Sequence, residues 1–272
     1  MALAVHDSSY VRDLVRERSA IVLDEDKEYL LESRLAPVVR REKLGSLGDL
    51  VGRLRSEPFG ALHASVVEAM TTNETSFFRD SHPFEALERH VLPDLLRRRA
   101  AERRLRVWCA ACSSGQEPYS VAILLRDRFP ELDGWDVRVL GTDLSAEMVG
   151  RAQDGAYTAL EVKRGLPAPH LTAYFDRSGP MWRVREPVRQ ATEFRTMNLI
   201  EPWPRLDRMD VVFMRNVLIY FDAETKRDLL ARVRRVLRPD GALFLGASET
   251  TLNLDPAYER AAHGRGAYYR LR

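Results

Sequence analysis

Residues 105–120 read LRVWCAACSSGQEPYS, and the rest of the chain is organised around them. Val107 and Trp108 lie in an apolar run that follows a block of arginines, as a buried strand would. Ala110, Ala111, Cys112, Ser113, Ser114 and Gly115 then supply six small residues in succession. Pro118 suits the first position of a helix, and Val121, Ile123, Leu124, Leu125 and Phe129 give that helix an apolar side. A strand, a small-residue turn and a helix N-terminus present unbonded amides and partial positive charge to a polar ligand. The dinucleotide version of this turn is G-x-G-x-x-G, and here only Gly115 is present. Acidic Glu117 stands where a phosphate would approach, so the turn suits a ligand carrying an amine. The same small residues would also serve simple close packing of helix on strand.

The next segment, WDVRVLGTD at 135–143, reads as a second strand ending in Asp143, one βαβ unit downstream. An acidic residue at the end of that strand is where such folds hold ribose hydroxyls; a capping carboxylate is the simpler alternative. Ser145 then caps a helix over Leu144–Ala152. Residues 193–198 read as a strand ending at Asn198-Leu199. Residues 209–214, MDVVFM, are apolar throughout, as expected of a strand buried on both faces; Asn216-Val217 follow shortly. Glu117, Asp143, Asn198 and Asn216 thus stand at successive strand ends. In an open parallel sheet that edge binds ligands, and one shared nucleoside pocket follows.

Residues 1–72 carry almost no strand pattern. Four helices are expected: from Ser8 to Arg18, from about Lys27 to Lys43, around Leu47–Leu54 and around Leu62–Met70. Arg34, Arg40, Arg41 and Lys43 lie on or just after the second, either as a solvated face or as a docking surface for an acidic partner. TTNETSFFRD at 71–80 joins this module to the α/β part. A helix is expected over Phe84–Arg106, its arginine-rich end reading as a solvated face. The Gly- and Pro-rich stretch at about 157–188 breaks the βα rhythm as an insertion, with short strands at Trp182, Val184 and Val188. Ala223–Leu237 reads as a helix, Pro239-Asp240-Gly241 as a turn, and Ala242–Leu245 as a strand. Tyr258–Arg260 and Ala267–Leu271, with Gly264 and Gly266 between, read as a terminal hairpin. The domains expected are therefore 1–72 and 73–272.

The 272 residues are 45% hydrophobic and 30% charged with a net charge of +2, which gives no support to a general nucleic-acid role. Cys109 and Cys112 form one C-x-x-C without a second pair, too few ligands for zinc, and read as buried packing thiols. No metal is expected. The first 20 residues are charged throughout, unlike a secretory leader, and no apolar run approaches the ~20 residues of a membrane span; the cytoplasm is the expected compartment.

TTNETSFFRD, VWCAACSSGQEPYSVA, LGTDLS, MNL, FMRNVLIYFD and GALFLGASE, in this order over nearly the whole chain, resemble the chemotaxis receptor methyltransferases called CheR. The resemblance implies an α/β fold: a Rossmann-like S-adenosylmethionine-dependent sheet with helices on both faces, a small all-helical N-terminal domain and a small β insertion. It implies methylation of glutamate side chains on the cytoplasmic helical bundle of chemoreceptors, with S-adenosylhomocysteine as product. Carried over by position, Asn73, Thr75, Arg79, Glu117, Asp143, Asn198, Leu199, Asn216 and Val217 would hold the cofactor. Arg79 and Tyr220 would face the reacting carboxylate, and Arg34, Arg40 and Arg41 would meet the acidic receptor. A monomer without nucleic-acid partner or membrane insertion is expected. The stretch Phe175–Trp182 is shorter than the Gly-containing loop of members that tether to a receptor C-terminal peptide, which implies independence of such tethering. The rival classes are a methyltransferase of nucleic acid or small molecules, a nicotinamide dehydrogenase, which the missing glycines oppose, and a non-catalytic cofactor-binding scaffold.

Overall fold

The computed structural model describes residues 5–23, 28–263 and 266–272, so Lys27 and Gly264 lie outside the described residues. The chain divides into two units. One comprises Met1–Thr72 with Tyr220–Thr225, and the other Asn73–Ile219 with Lys226–Arg272.

The first unit holds α1 (Val5–Ser19), α2 (Glu28–Arg41), α3 (Leu47–Ser56) and α4 (Ala61–Ala69). Each turns one apolar stripe inward: Val11 and Val15, Leu31 and Leu35, Leu50 and Val51, Val66 and Val67 are all buried. Each such side chain contributes roughly 1.5–3 kcal/mol relative to exposure. Ser46 starts α3 by accepting the Asp49 amide on its hydroxyl.

The second unit opens with α5 (His82–Ala86), a π-helical turn (Leu87–Val91) and α6 (Leu92–Arg99). The π turn precedes Pro93, which has no N–H for the helical ladder, and Leu92 bonds back to Leu87 instead. The helix expected to continue to Arg106 stops at Arg99. Arg103 turns the chain with φ +48°, and β1 (Arg104–Ala110) begins. The reason is electrostatic. Arg99 is buried against Asp210, at 2.7 Å, and against Asp240 at 2.6 Å, while Arg106 pairs with Asp136 and, at 3.1 Å, with Asp207. These two arginines do not form a solvated face.

There follow α7 (Gln116–Arg128), β2 (Asp136–Asp143) and α8 (Ala146–Asp154). The insertion contributes β3 (Ala156–Thr158), α9 (Ala159–Lys163), α10 (Ala168–Tyr174), β4 (Phe175–Ser178), β5 (Met181–Val184) and α11 (Glu186–Arg189). Its strands form a separate antiparallel sheet in the order β3-β5-β4. Val188, expected in a strand, is in α11, where Pro187 stands at the helix start. The chain ends with β6 (Thr192–Thr196), β7 (Met209–Met214), α12 (Ala223–Val236), β8 (Leu237–Leu245), β9 (Tyr258–His263) and β10 (Gly266–Leu271).

The main sheet has the order β6-β2-β1-β7-β8-β10-β9. The first five strands are parallel, and β10 and β9 close one side as an antiparallel hairpin. From β1 the chain steps outward to β2, and later from β7 outward to β8 in the opposite direction. Right-handed crossovers in opposite directions put α7 and α12 on opposite faces. The order reverses between β1 and β7, so a crevice opens there at the carboxyl edge. The turn expected at Pro239-Asp240-Gly241 is instead a bulge within β8, with the pairing shifted between Met209 and Val211. Gly241 lies so close to the strand that a Cβ would stand 2.9 Å from the Asp210 carbonyl, and Asp240 is held by Arg99.

Candidate functional site

The turn after β1 crosses the left-handed backbone region three times, at Ala111 (φ +55°), Ser113 (φ +51°) and Gly115 (φ +91°). Only the last requires glycine, because a Cβ there would stand 2.7 Å from the Ala152 Cβ of α8. The turn is fastened by the Cys112 amide on the Thr142 carbonyl at 2.9 Å and the Tyr157 hydroxyl on the Ser114 carbonyl at 2.7 Å. Helix α7 starts at Gln116, two residues before the expected position. Pro118 is its third residue, where the amide would be unbonded anyway. Glu117 therefore lies in the first turn, where the dipole favours an anion. Cys109 and Cys112 are free and buried, and burial pushes both thiols up. They are protonated packing groups at neutral pH.

Glu117 is nearly enclosed, its side chain 13% exposed, and burial raises its carboxyl above the ordinary range. The guanidinium of Arg215, followed by that of Arg79, opposes the rise. Arg215, 2% exposed, donates from Nη1 to Glu117 Oε2 at 2.8 Å. From Nη2 it donates to Asp80 Oδ2 at 2.6 Å and to the Arg79 carbonyl at 3.1 Å. Arg79 itself donates from Nη1 to the Glu74 carbonyl at 2.8 Å.

Asp143 gathers the turn on its other side. One carboxylate oxygen accepts the Ser113 amide at 2.7 Å and the other the Ser145 amide at 2.9 Å, while its carbonyl accepts the Met197 amide at 2.8 Å. The segment carrying Asn73, Thr75 and Arg79 folds onto the same turn. Ser113 Oγ donates to the Asn73 carbonyl at 3.0 Å, and the Phe78 amide donates to Ser120 Oγ at 2.9 Å. Phe77 anchors this segment edge-on against Tyr157 and Phe175 of the insertion, with ring centroids 5.0 and 5.5 Å away.

Asn216 follows β7 with φ +57°, a conformation Asn tolerates. Its amide and that of Val217 donate to the two oxygens of Glu249, at 2.8 and 2.9 Å, and Gly246 donates to the same carboxylate at 2.6 Å. Asn198 bonds to Glu201 and the Ile200 amide, both at 3.3 Å, and the Leu199 carbonyl accepts Trp203 and Arg232. Asn73, Thr75, Arg79, Glu117, Asp143, Asn198, Leu199, Asn216 and Val217 all belong to the second unit. Tyr220, Arg34, Arg40 and Arg41 belong to the first. There the Tyr220 carbonyl accepts the Val22 amide at 2.9 Å, and Arg34 donates to the Met70 carbonyl at 2.6 Å and to Thr72 Oγ1 at 2.9 Å. Arg40 and Arg41 are exposed.

Two residues of this site were not singled out from the sequence. Arg215 stands beside Asn216 in FMRNVLIYFD, and Glu249 ends GALFLGASE. A lone arginine within an apolar strand end and a carboxylate following glycine and two small residues were the available signals. The assembled edge offers two carboxylates, Glu117 and Asp143, flanking one turn of backbone amides. Such a set suits an ammonium group and vicinal hydroxyls, and opposes a diphosphate.

Comparison with known proteins finds two matched regions in the chain. Residues 7–71 match the CheR methyltransferase all-alpha domain, and residues 73–264 the CheR methyltransferase SAM-binding domain. The chain is similar to chemotaxis protein methyltransferase 1 of Pseudomonas aeruginosa, 43% identical over 277 positions and covering all of both chains. It is similar to chemotaxis protein methyltransferase Cher2 of Pseudomonas putida, 41% identical over 271 positions with 98% of each chain covered. Among solved structures, a TehB-like SAM-dependent methyltransferase from Corynebacterium glutamicum is 14% identical, with 66% of this chain and 96% of that one covered and a TM-score of 0.39.

Proposed function

This chain belongs to the CheR family of S-adenosylmethionine-dependent chemotaxis methyltransferases, and we propose that it esterifies glutamate side chains on the cytoplasmic helices of chemoreceptors. The observation that carries this reading is the meeting, at one sheet edge, of Glu117 and Asp143 with the segment bearing Asn73 and Arg79, joined through Arg215 and Ser113.

The donor set fits the cofactor. Glu117 would take the ammonium of its amino-acid end, and Asp143 the ribose hydroxyls. Asn73, Thr75, Asn198-Leu199 and Asn216-Val217 would surround the remainder. When bound, S-adenosylmethionine supplies a methyl group on a positively charged sulfur. The rest of the chemistry falls to this chain. A glutamate with an ordinary pKa of about 4.3 is already ionised at pH 7, so no residue has to remove a proton. The enzyme has to strip water from the carboxylate and hold one oxygen in line. Arg79 suits that task, because a guanidinium fixes a carboxylate with geometric specificity. An overly tight pair would stabilise the ground state; a hydrogen bond donated by the Tyr220 hydroxyl would share the carboxylate and loosen it. Arg40 and Arg41, exposed on α2, would dock the acidic receptor surface. Arg34 is committed to its own unit by two hydrogen bonds and contributes less.

The test is transfer of labelled methyl from S-adenosylmethionine to a receptor cytoplasmic fragment. The expected product is a base-labile label on glutamate; a base-stable label, or none, would overturn the assignment. The β3-β5-β4 insertion is proposed to act without tethering: a peptide copying a receptor C-terminus should show no binding by calorimetry, and measurable affinity would refute that part.

A further inference from the structure

Arg215 touches three groups of the site at once, and it is buried while doing so. Its guanidinium bonds the Glu117 carboxylate, the Asp80 carboxylate and the Arg79 carbonyl, at 2.8, 2.6 and 3.1 Å. A buried arginine is expensive unless its charge is matched, and here it is matched by two carboxylates of unequal exposure: Asp80 is 44% exposed and Glu117 13%. We propose that Arg215 is a positioning residue: it keeps Glu117 as an oriented anion facing the ammonium end of the methyl donor, and ties the Arg79 backbone to that carboxylate. This inference rests on the placement of Glu117 in the cofactor site.

Without a cation beside it, a carboxylate in so enclosed a place takes up a proton, and a neutral carboxyl holds an ammonium group poorly. The charges facing Glu117 are Arg215 from the end of β7, Arg79 from the segment before α5, and Glu249 after β8. The Cys109 and Cys112 thiols face it from β1 and its turn. Burial, then Glu249, favours the neutral acid; Arg215, then Arg79, favours the anion. Of the two cations, Arg215 alone is seen hydrogen-bonded to the carboxylate. Asp80 competes for the same guanidinium, so its removal should act in the opposite direction to the removal of Arg215.

The test measures S-adenosylhomocysteine affinity of the full chain by calorimetry between about pH 5 and 7.5, below the range where the ligand's own amine titrates. In the parent protein, affinity should fall as pH drops through the Glu117 titration. In R215Q the midpoint of that fall should rise by about one pH unit or more, and at pH values below the parent's midpoint affinity should drop roughly tenfold relative to the parent. D80N keeps a residue that tolerates the left-handed backbone at position 80 (φ +67°), and its midpoint should move down. R215K keeps the charge but not the three-way fork, so its midpoint should stay near the parent's while kcat for methyl transfer falls. Unmoved midpoints in R215Q and D80N would overturn the proposal; if R215Q does not fold, the direction of the D80N shift decides alone. E117Q separates the two levels. A flattened pH profile with weaker binding places Glu117 at the ligand, whatever Arg215 does. An unchanged profile would sink the site assignment itself.

Discussion

Arg79 is displayed by a strained segment. Phe78, Asp80 and Ser81 all have left-handed backbones, at φ +47°, +67° and +40°, which for Phe and Ser costs of order 1–3 kcal/mol each. Such strain persists only where the surroundings over-determine it, and here Ser120, Arg215 and the Phe77 anchor do so. Arg79→Ala should therefore cost kcat roughly 100-fold and, because the Arg79 charge also favours the Glu117 anion, weaken S-adenosylhomocysteine by a smaller factor; a kcat near the parent's would remove Arg79 from the chemistry. Asp143→Ala should weaken the same ligand about tenfold or more, because a charge-assisted bond to a hydroxyl is worth about 1.5–3 kcal/mol; equal calorimetric affinities would count against the ribose role. Two glycines make a matched pair. A Cβ on Gly165 (φ +89°) would stand 2.0 Å from the Phe77 carbonyl, whereas one on Gly150 meets nothing within 4 Å. Gly165→Ala should lower the melting temperature and kcat together by displacing the Arg79 segment. Gly150→Ala, inside α8, should raise stability by about 0.5–1 kcal/mol.

At the scale of elements, the arginine run before β1 was the part of the sequence that misled. A helix-like spacing of Leu92, Leu95 and Leu96 continues smoothly into Arg97–Arg106, and no local signal separates a solvated arginine from one answering a buried aspartate in a distant strand. Asp210 lies in β7 and is fully buried, held by Arg99 at 2.7 Å and by the Arg106 amide at 2.8 Å. Arg99→Met should cost about 3 kcal/mol in denaturant unfolding, because it removes the closer of the two guanidiniums facing the buried Asp210 and leaves Arg238 at 3.4 Å. A loss under ~1 kcal/mol would mean that the cluster is not structural. Hydrogen bonding to Arg99 also holds the Asp240 carboxyl below its ordinary range. Its contribution to stability is present above the ordinary aspartate pKa and is lost as pH falls through the lowered one. The bulge in β8 has the same origin. Pro-Asp-Gly reads locally as a turn, yet the ion pair to Arg99 and the close approach of Gly241 keep the chain in the sheet.

For the whole molecule, function has a cost that the fold carries. The Glu117 carboxyl is raised chiefly by burial, so its part in stability is complete below the ordinary glutamate range and is lost as pH rises through the raised value. The ligand-free protein should thus lose stability across that window, and S-adenosylhomocysteine should restore more of it at pH 7 than at pH 5. Thermal melts with and without ligand read this directly, and equal restoration would contradict it. Receptor docking through Arg40 and Arg41 belongs to the same scale. Replacing both by glutamate should raise the KM for receptor several-fold with kcat unchanged, and that sensitivity should fade at high salt. The strand–turn–helix at 105–120, the helical first 70 residues and the family follow from the sequence alone, because apolar periodicity, small-residue turns and contiguous motifs are local properties of a chain. The polar residues at the strand ends were legible for the same reason. What only the tertiary structure decided is which charges answer one another: Arg215 with Glu117 and Asp80, Glu249 with the three amides of Asn216, Val217 and Ile219 after β7, and Arg99 with Asp210. Each pair joins segments far apart in the chain, and burial, which turns a weak surface attraction into a strong constraint, exists only once the sheet has formed.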